Sequence, residues 1–346
     1  MTDNMFFLPA EWEEQHCVQL TWPHEQTDWQ PILTDITKTY VEMAVEIARR
    51  EKLLIVAPHP EKAIEAIKQK VGNELDGKIT TFACPTDDTW ARDHGFITLI
   101  DREKRHSILL DFHFNGWGEK FAADKDNAIN KRLHDANIIK GEYESHLDFV
   151  LEGGSIESDG NGTIFTTTGC LMAPHRNQPL GKAEIEQRLK QTLRAKRIVW
   201  IDHGNLAGDD TDGHIDTLVR TAPDDTLLYV GCDDTGDTNY TELHLMEKQL
   251  QTLLTDDGKP FRLLKLPSPR PIYSDGELLP ATYANFLVIN KAVLYPTYNQ
   301  PDLDQEARHI IGKAFPNHEI VGIDCRNIII QHGSLHCCTM QYPKTL

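Results

Sequence analysis

The chain has 346 residues, of which 40% are hydrophobic and 25% are charged, and these proportions are ordinary for a soluble globular protein. Its formal net charge of −18 argues against nucleic acid and anionic membranes as partners, and it favours, though only weakly, a cationic small molecule. The first residues lack the basic and apolar segments of a signal peptide, and no stretch reaches the roughly 20 apolar residues that a membrane span requires. We therefore expect a cytoplasmic protein.

The predicted secondary structure alternates between helices and strands after an irregular, tryptophan-rich amino-terminal segment. Amphipathic spacing predicts helices at 31–50, 60–70, 125–134, 182–193, 241–254 and 302–315. Short apolar runs predict strands at 53–57, 79–83, 96–100, 108–112, 148–151, 163–167, 198–201, 227–230, 263–266, 286–289, 292–295, 319–323 and 327–330. No linker rich in Pro, Gly or Ser interrupts this pattern, which predicts a single α/β domain over residues 1–346.

Polar loops follow several predicted strands and recur at intervals of roughly 60 residues, which indicates a repeated unit arranged around a centre. Four of them carry candidate functional side chains: 90–93 (Trp-Ala-Arg-Asp), 115–118 (Asn-Gly-Trp-Gly), 152–154 (Glu-Gly-Gly) and 212–216 (Asp-Gly-His-Ile-Asp). Each loop alone could equally be a surface ion pair, an ordinary turn or an acidic loop. If this segment were a strand, its successive side chains would point to opposite faces, and His214 and Asp216 would share one face.

Two adjacent cysteines, Cys337 and Cys338, follow the predicted strand at 327–330. A thiol on a turn after a strand can point into a cavity, and the thiolate is a strong nucleophile when its surroundings lower the pKa. The alternative interpretation is that both are small buried hydrophobic residues. The chain has seven scattered cysteines and no Cys-x-x-Cys pair, so we expect no disulfide framework.

Carboxylates near a thiolate indicate a cationic substrate. Asp93, Glu152 and Asp216 would disfavour a thiolate unless the substrate itself carried positive charge. A guanidinium is planar and pairs bidentately with carboxylates, so carboxylates on two sides would leave its central carbon facing the sulfur. His214, beside a carboxylate, could act as an acid and a base. The pattern therefore favours hydrolysis of a guanidino group.

A metal hydrolase is an alternative because the chain offers suitable ligand types in His214, Asp212, Asp216 and His336. The sequence has neither two histidines at helical spacing nor paired cysteines, and we therefore expect no metal and no other cofactor. A further alternative is a non-catalytic binding protein. The intact cysteine, histidine and carboxylates argue against it.

These motifs, in this order, resemble the agmatine deiminase family of the guanidine-modifying superfamily. The resemblance extends over the chain through the segments 8–12 (Leu-Pro-Ala-Glu-Trp), 89–93 (Thr-Trp-Ala-Arg-Asp), 114–118 (Phe-Asn-Gly-Trp-Gly), 151–155 (Leu-Glu-Gly-Gly-Ser), 210–216 (Asp-Thr-Asp-Gly-His-Ile-Asp), 280–286 (Pro-Ala-Thr-Tyr-Ala-Asn-Phe) and 336–337 (His-Cys). It implies a five-fold pseudosymmetric α/β-propeller, or pentein, with repeated short strand–helix units around a central substrate pocket.

The resemblance also implies roles for individual residues. The implied catalytic residues are the nucleophile Cys337, the general acid and base His214, and Glu152, which would orient His214. The implied substrate-binding residues are Asp93, Asp216, Trp90 and Trp117. In this alignment Cys338 takes no part in the reaction.

The implied reaction is hydrolysis of agmatine to N-carbamoylputrescine and ammonia, a step of putrescine biosynthesis, through a covalent thiouronium intermediate. The sequence departs from the family pattern at 331–335 (Gln-His-Gly-Ser-Leu) and 168–170 (Thr-Gly-Cys). These departures leave the implied chemistry intact, but they leave open which group the substrate carries at the end away from the guanidino group. A deiminase acting on peptidyl-arginine or on another guanidino substrate is therefore the alternative. The partner is in either case a small cationic guanidino group, and the sequence leaves open whether the protein is a monomer or a homo-oligomer.

Overall fold

Five mixed β-sheets and one short hairpin form the framework of residues 6–345, the part of the chain that the computed structural model describes. In chain order the strands are β1 (Phe6–Phe7), β2 (Gln15–Thr21), β3 (Lys52–Ala57), β4 (Ile79–Ala83), β5 (Ile97–Asp101), β6 (Ser107–His113), β7 (Glu142–Val150), β8 (Ile156–Ser158), β9 (Thr163–Thr167), β10 (Arg197–Ile201), β11 (Val219–Ala222), β12 (Thr226–Val230), β13 (Arg262–Leu266), β14 (Tyr273–Ser274), β15 (Glu277–Leu278), β16 (Leu287–Ile289), β17 (Ala292–Thr297), β18 (Glu319–Asp324) and β19 (Thr339–Pro343).

The same pairing pattern recurs in all five sheets. In each, an antiparallel strand pair is extended by a parallel neighbour, and the sheets have the orders β1-β5-β6-β7, β8-β9-β10, β11-β12-β13, β16-β17-β18 and β19-β2-β3-β4. The last sheet joins the two ends of the described chain, because β19 pairs antiparallel with β2. The predicted α/β class is confirmed by this mixture of strands and crossover helices.

Helices connect the parallel strands, since parallel neighbours require a crossover connection. In chain order they are α1 (Leu33–Ala48), α2 (Pro60–Val71), α3 (Ala91–His94), α4 (Gly116–Glu119), α5 (Asp124–Asn127), α6 (Ile129–Asp135), α7 (Thr168–Leu171), α8 (Lys182–Thr192), α9 (Tyr240–Leu250) and α10 (Pro301–Ala314). The longest, α1, buries Ile36, Tyr40, Met43 and Ile47 completely, as its amphipathic spacing predicts. Over residues 6–345, no helix is long and apolar enough to cross a bilayer.

The strand predicted at 327–330 is wrong. Ile329–Gln331 forms a 3₁₀ turn, and Ile328 and Ile329 are fully buried in the core cluster that also contains Cys338. A short apolar run can be buried in any backbone conformation, so its composition does not identify a strand. The two cysteines therefore do not follow a strand at 327–330. They lie immediately before β19, the last strand of the described residues.

Other differences concern the bounds of elements. The amino-terminal segment that the sequence left irregular contains β2, and the predicted helix at 125–134 is divided into α5 and α6. The strand predicted at 148–151 begins earlier, since β7 spans Glu142–Val150. The half-exposed residues in the first part of β7 give no continuous apolar run, which explains why composition missed them.

Candidate active site

Five short turns, one before a strand of each sheet, meet at the candidate site. They are α3 before β5, the 3₁₀ turn Gly153–Ser155 before β8, the 3₁₀ turn Ile215–Thr217 before β11, the segment 282–285 before β16, and the 3₁₀ turn His336–Cys338 before β19. Each turn, or the residue immediately before it, contributes a polar side chain to this region. The contributed residues are Asp93, Glu152, Asp216, Asn285 and Cys337, with His214 immediately before the third turn.

Cys337 forms part of the wall of a cavity of about 260 Å³. The Asn285 side-chain amide donates to its sulfur at 3.3 Å, and the thiol lies 3.7 Å from Asp216 Oδ2. Burial raises the pKa of the Cys337 thiol well above its ordinary value, and the charges of Asp216 and Asp93 add to this effect. Without a bound cation, the thiol is therefore protonated at neutral pH.

Cys338 faces a different environment from its neighbour. Its side chain is fully buried, and its thiol donates to the Ser334 carbonyl oxygen at 3.4 Å. It belongs to the main apolar core and does not line the cavity that Cys337 borders. The geometry thus separates two residues that spacing alone could not distinguish.

Asp93 is fixed by two hydrogen bonds, from the Gly154 amide to Oδ1 and from the Trp117 indole to Oδ2, both 3.0 Å long. Trp117 adopts a left-handed backbone with φ of 57°, which is unusual for a large side chain and indicates local strain. The Asn115 side chain stabilises this loop by accepting from the Gly118 amide at 3.0 Å. Burial raises the pKa of Asp93 to about 6.

Asp216 is held from behind by His336, whose Nδ1 lies 2.8 Å from Asp216 Oδ2. Burial alone would raise the pKa of Asp216, but the contact with His336 outweighs burial and lowers it. Oδ1 of this buried carboxylate has no hydrogen-bond partner within residues 6–345. The ionised carboxylate therefore has an acceptor atom left for a ligand.

His214 is completely buried, and neither ring nitrogen has a hydrogen-bond partner within the described chain. Its Nδ1 lies 3.6 Å from Asp93 Oδ1. Burial by itself would lower the pKa of His214, but Asp93, Cys170 and Glu152 outweigh burial and raise it well above the ordinary value. The imidazole is therefore protonated at neutral pH and can donate a proton.

Glu152 is buried beside Arg176, which donates from Nε to Glu152 Oε1 at 2.8 Å. The other oxygen, Oε2, has no partner among residues 6–345. Ligand atoms of Glu152, Cys170 and His214 all lie within 4.8 Å of one another. This is a different set from the four metal ligand types that the sequence offered.

Gly154 provides the space in which these groups meet. A Cβ at this position would lie 2.6 Å from His214 Nδ1, 2.8 Å from Asp93 Oδ1 and 3.3 Å from Asp216 Oδ2. Any larger residue would therefore occupy the place where the imidazole and the two carboxylates converge. The second position of the Gly-Gly pair in the Glu-Gly-Gly loop therefore requires glycine for steric reasons.

The wall and mouth of the cavity combine aromatic and acidic side chains. Trp90, Trp117 and Phe121 form the aromatic part, and Trp90 donates through its indole to Asp88 Oδ2 at 3.0 Å. The carboxyl groups are those of Asp28, Asp88, Asp93 and Asp210, and burial raises the pKa of Asp88 to about 7. None of the described residues that line this cavity is Lys or Arg.

The structure brings together all seven residues that the sequence singled out. Cys337, Asp93, Trp90 and Trp117 line the cavity, and His214, Asp216 and Glu152 lie around Gly154. The expected strand alternation of His214 and Asp216 is wrong, because the two residues lie at a 3₁₀ turn. The roles of these residues stay predictions.

Four further residues at the site were not among the seven predicted ones: Asn285, His336, Arg176 and Cys170. The sequence analysis had considered His336 only as a possible metal ligand and Cys170 only as part of the departure at 168–170. Asn285 lies in the motif 280–286, and His336 is adjacent to the predicted nucleophile, so both carried a detectable signal. Arg176 lies in a loop without a motif, and only the fold brings it to Glu152.

The chain is similar to known proteins over nearly its whole length. The family described as Porphyromonas-type peptidyl-arginine deiminase matches residues 7–343. A solved structure from Porphyromonas gingivalis is 45% identical, with a TM-score of 0.92 and 98% of each chain covered. An agmatine deiminase of C. jejuni with substrate bound is 37% identical, with a TM-score of 0.91 and coverage of 99% of this chain and 97% of that chain.

Two further solved structures have a similar fold. An agmatine deiminase of Enterococcus faecalis is 25% identical, with a TM-score of 0.86 and coverage of 99% of this chain and 97% of that chain. A dimethylarginine dimethylaminohydrolase, 11% identical over 95% of this chain and all of its own, has a TM-score of 0.51, which is a likeness of fold alone.

Proposed function

The chain belongs to the Porphyromonas-type peptidyl-arginine deiminase family, and we propose that it is a guanidine deiminase that hydrolyses agmatine to N-carbamoylputrescine and ammonia. The observation that carries the proposal is the convergence of Asp93, Asp216 and His214 around Gly154, beside the Cys337 thiol. This arrangement supplies a nucleophile, a proton donor and two carboxylates that, within residues 6–345, have no guanidinium or ammonium paired with them. Agmatine deiminases of C. jejuni and Enterococcus faecalis have the same fold over nearly the whole chain.

In this proposal, residues 1–346 form one catalytic domain with five blades. Each sheet is one blade of an α/β-propeller, and the turns that carry the polar side chains meet on its central axis. The recurring antiparallel and parallel strand pairs support this arrangement, as does the contribution of one turn from each sheet. The pairing of β19 with β2 would close the ring.

The substrate guanidinium would lie between Asp93 and Asp216, with its planar face towards Cys337. Paired carboxylates suit the fixed geometry of guanidinium N–H donors. The unpartnered Oδ1 of Asp216 and Oε2 of Glu152 are acceptors that such donors would satisfy. Positive charge beside the sulfur would offset burial and the repulsion of Asp216 and Asp93, so substrate binding itself would lower the pKa of the Cys337 thiol.

The reaction would proceed in two halves through a covalent intermediate. The thiol loses its proton to solvent as the cation binds, and the thiolate forms a C–S bond with the central carbon. Protonated His214 donates to one guanidino nitrogen, the C–N bond breaks and ammonia leaves a thiouronium. His214, now neutral, accepts a proton from water, and the resulting hydroxide adds to the carbon. The C–S bond then breaks and the hydroxyl proton passes to solvent, which releases the neutral ureido product and the thiolate.

The lining of the cavity favours agmatine over free arginine. The acidic residues Asp28, Asp88 and Asp210 are suited to the far ammonium group of agmatine. Free arginine would instead bring a carboxylate to a wall that, within the described residues, offers no Lys or Arg side chain. A peptidyl-arginine substrate carries neither group, and it remains the second candidate because the family name includes it.

The test is a product assay with the purified protein and three substrates at equal concentration: agmatine, arginine and a short arginyl peptide. We expect N-carbamoylputrescine and one equivalent of ammonia from agmatine, and kcat/KM for the other two at least tenfold lower. Preferred turnover of the peptide would replace agmatine with the second candidate. Absence of ammonia release from all three would refute the deiminase proposal.

A further inference from the structure

A second chemical feature lies directly behind the candidate site. Glu152, Cys170 and His214 are each 0% exposed, and one ligand atom of each lies within 4.8 Å of the others. Cys170 comes from α7, a different element from the turn that carries Cys337. The reaction proposed above uses His214 and Glu152 but gives no function to this thiol.

The three side chains are held in place by the surrounding backbone. The Thr167 hydroxyl accepts from the Cys170 amide at 3.2 Å and donates to the Gly213 carbonyl at 2.6 Å. It therefore connects the helix that carries the thiol with the residue before His214. Arg176 fixes Glu152 through Oε1 at 2.8 Å, and Oε2 has no hydrogen-bond partner within residues 6–345.

These groups can bind a ligand when the substrate does not occupy them. The buried Glu152 Oε2 and both ring nitrogens of His214 make no hydrogen bond in the described part of the chain. Buried polar atoms normally have a partner, so three unpartnered atoms beside a thiol point to a bound species. The Asp93 carboxylate, 3.6 Å from His214, adds negative charge on the cavity side and would favour a cation.

The donor set identifies the class of cation. A thiolate, an imidazole and a carboxylate are the ligands that proteins use for zinc, whereas magnesium and calcium prefer oxygen donors alone. Zinc bonds of about 2.0 to 2.3 Å keep ligand atoms roughly 3 to 4 Å apart. The present separation of up to 4.8 Å thus requires a closure of about 1 Å, which side-chain rotation can provide.

We propose that Glu152, Cys170 and His214 form a binding site for Zn²⁺ or a similar borderline-soft divalent cation, distinct from any site that includes the Cys337 thiol. Three protein ligands leave the fourth tetrahedral position for water or another small ligand. Binding of the ion would displace the protons of the His214 imidazole and the Cys170 thiol to solvent, and the ion would then occupy a nitrogen of His214 and prevent the imidazole from moving protons. The cation would therefore inhibit the deiminase reaction, and this consequence, unlike the site itself, rests on the proposed function.

The binding test uses Co²⁺ as a spectroscopic probe in the Cys337→Ala protein, which lacks the thiol that borders the cavity. We expect one equivalent of Co²⁺ to produce a sulfur-to-cobalt charge-transfer absorption in the near ultraviolet, and addition of Zn²⁺ to abolish it. The band should disappear when Cys170→Ser is added. The matched control adds Cys232→Ser, which removes the thiol nearest to a different acidic group at Asp233, Asp234 and Asp237, and should retain the band.

Retention of the band without Cys170, or its loss without Cys232, would overturn the proposal. A measurement on the unaltered protein avoids any doubt about the folding of the variants. Crystals soaked in Zn²⁺ should show an anomalous peak at the zinc edge between Glu152, Cys170 and His214. A peak at the Cys337 sulfur or only at surface residues would contradict the site.

The inhibition test separates the site from its consequence. With agmatine as substrate, Zn²⁺ should inhibit the unaltered protein reversibly, and a chelator should restore activity. The Cys170→Ser protein should need at least tenfold more Zn²⁺ for half-inhibition. Equal sensitivity of the two proteins would overturn the inhibitory role, and failure of both to turn over agmatine would count against the proposed function while leaving the cobalt and diffraction results to decide the site.

Discussion

The cavity side of the site and the buried region behind it differ in how their carboxylates are paired with positive charge. Behind Asp216 lies a group that we call the rear network, formed by Glu11, Glu157, Arg220 and His336. Arg220 contacts both glutamates, and His336 links Glu11 to Asp216 with distances of 2.8 Å on each side. On the cavity side, Asp93 contacts no Arg or Lys within the described residues.

The pKa values of Glu11 and Asp93 differ in the direction that this difference in pairing predicts. Burial would raise the pKa of Glu11, but Arg220 and His336 outweigh it, and the pKa lies well below its ordinary value. Burial raises the pKa of Asp93 to about 6, because no Arg or Lys within the described chain pairs with it. The fold thus neutralises the charge of Glu11 internally, whereas Asp93 has no Arg or Lys partner within residues 6–345, as our proposal of a cationic substrate requires.

The largest effect should come from Cys337→Ala. Loss of the nucleophile should reduce kcat for agmatine on the order of 10⁴-fold or more, while the charges that bind the cation remain. Ammonia release and equilibrium binding of agmatine measure the two effects. Cys338→Ala is the matched control and should retain most activity, since its thiol lies in the apolar core. Ammonia release at the unaltered rate from Cys337→Ala would contradict the assignment.

Asp93→Asn tests the cavity side directly. Loss of two charge-assisted hydrogen bonds to the guanidinium should lower kcat/KM about 10²- to 10⁴-fold. In the unaltered protein kcat/KM should rise with pH as Asp93 ionises around pH 6, and this limb should be absent in the variant. A pH profile that keeps the same limb without Asp93 would assign it to another group.

Arg220→Met tests the rear network. Its removal leaves Glu11 and Glu157 buried without their cation, which should cost about 3 to 5 kcal/mol in the free energy of unfolding. Urea unfolding provides the measurement. Arg270→Met, which breaks an exposed pair with Asp302, is the control and should leave the midpoint unchanged. If both variants unfold at the same midpoint, the rear network is not a source of stability.

The smallest effect, and the most discriminating one, is on the stability of the Asp93→Asn protein. The folded state raises the pKa of this carboxyl from 3.8 to about 6, so the unaltered protein should lose stability as the pH rises through this interval. Asn carries no charge, and the variant should be more stable above pH 6 by up to about 3 kcal/mol. Unfolding curves at pH 4 and pH 7.5 are the measurement. Equal pH dependence of the two proteins would contradict an unfavourable charge at this position.

The sequence predicted much of the fold because the periodic elements are long enough to show their pattern. The helix α10 and the strand β9 lie where amphipathic and apolar spacing placed them. The short turns at Gly153–Ser155 and Ile215–Thr217 could not be predicted, since three residues carry no period. The run at 327–330 was wrongly predicted to be a strand because a short apolar segment can be buried in any backbone conformation.

The candidate site was predicted where its residues lie in recognisable motifs. Cys337, His214 and Asp93 could be named from the sequence, and the structure places them together. The choice between Cys337 and Cys338 came from the resemblance, because adjacent residues differ in direction only once the backbone is known. Arg176 and Cys170 could not be identified as neighbours of Glu152, since these contacts arise from the tertiary fold.

The pairing of β19 with β2 has a consequence for how the protein matures. The strand at 339–343 completes the sheet that begins with residues 15–21, and the Cys337 sulfur lies two residues before it. During synthesis, β2 therefore lacks its antiparallel neighbour until residues 339–343 are available, and most of the polar turns are made before Cys337. The candidate site and this sheet can thus be completed only at the same stage of folding.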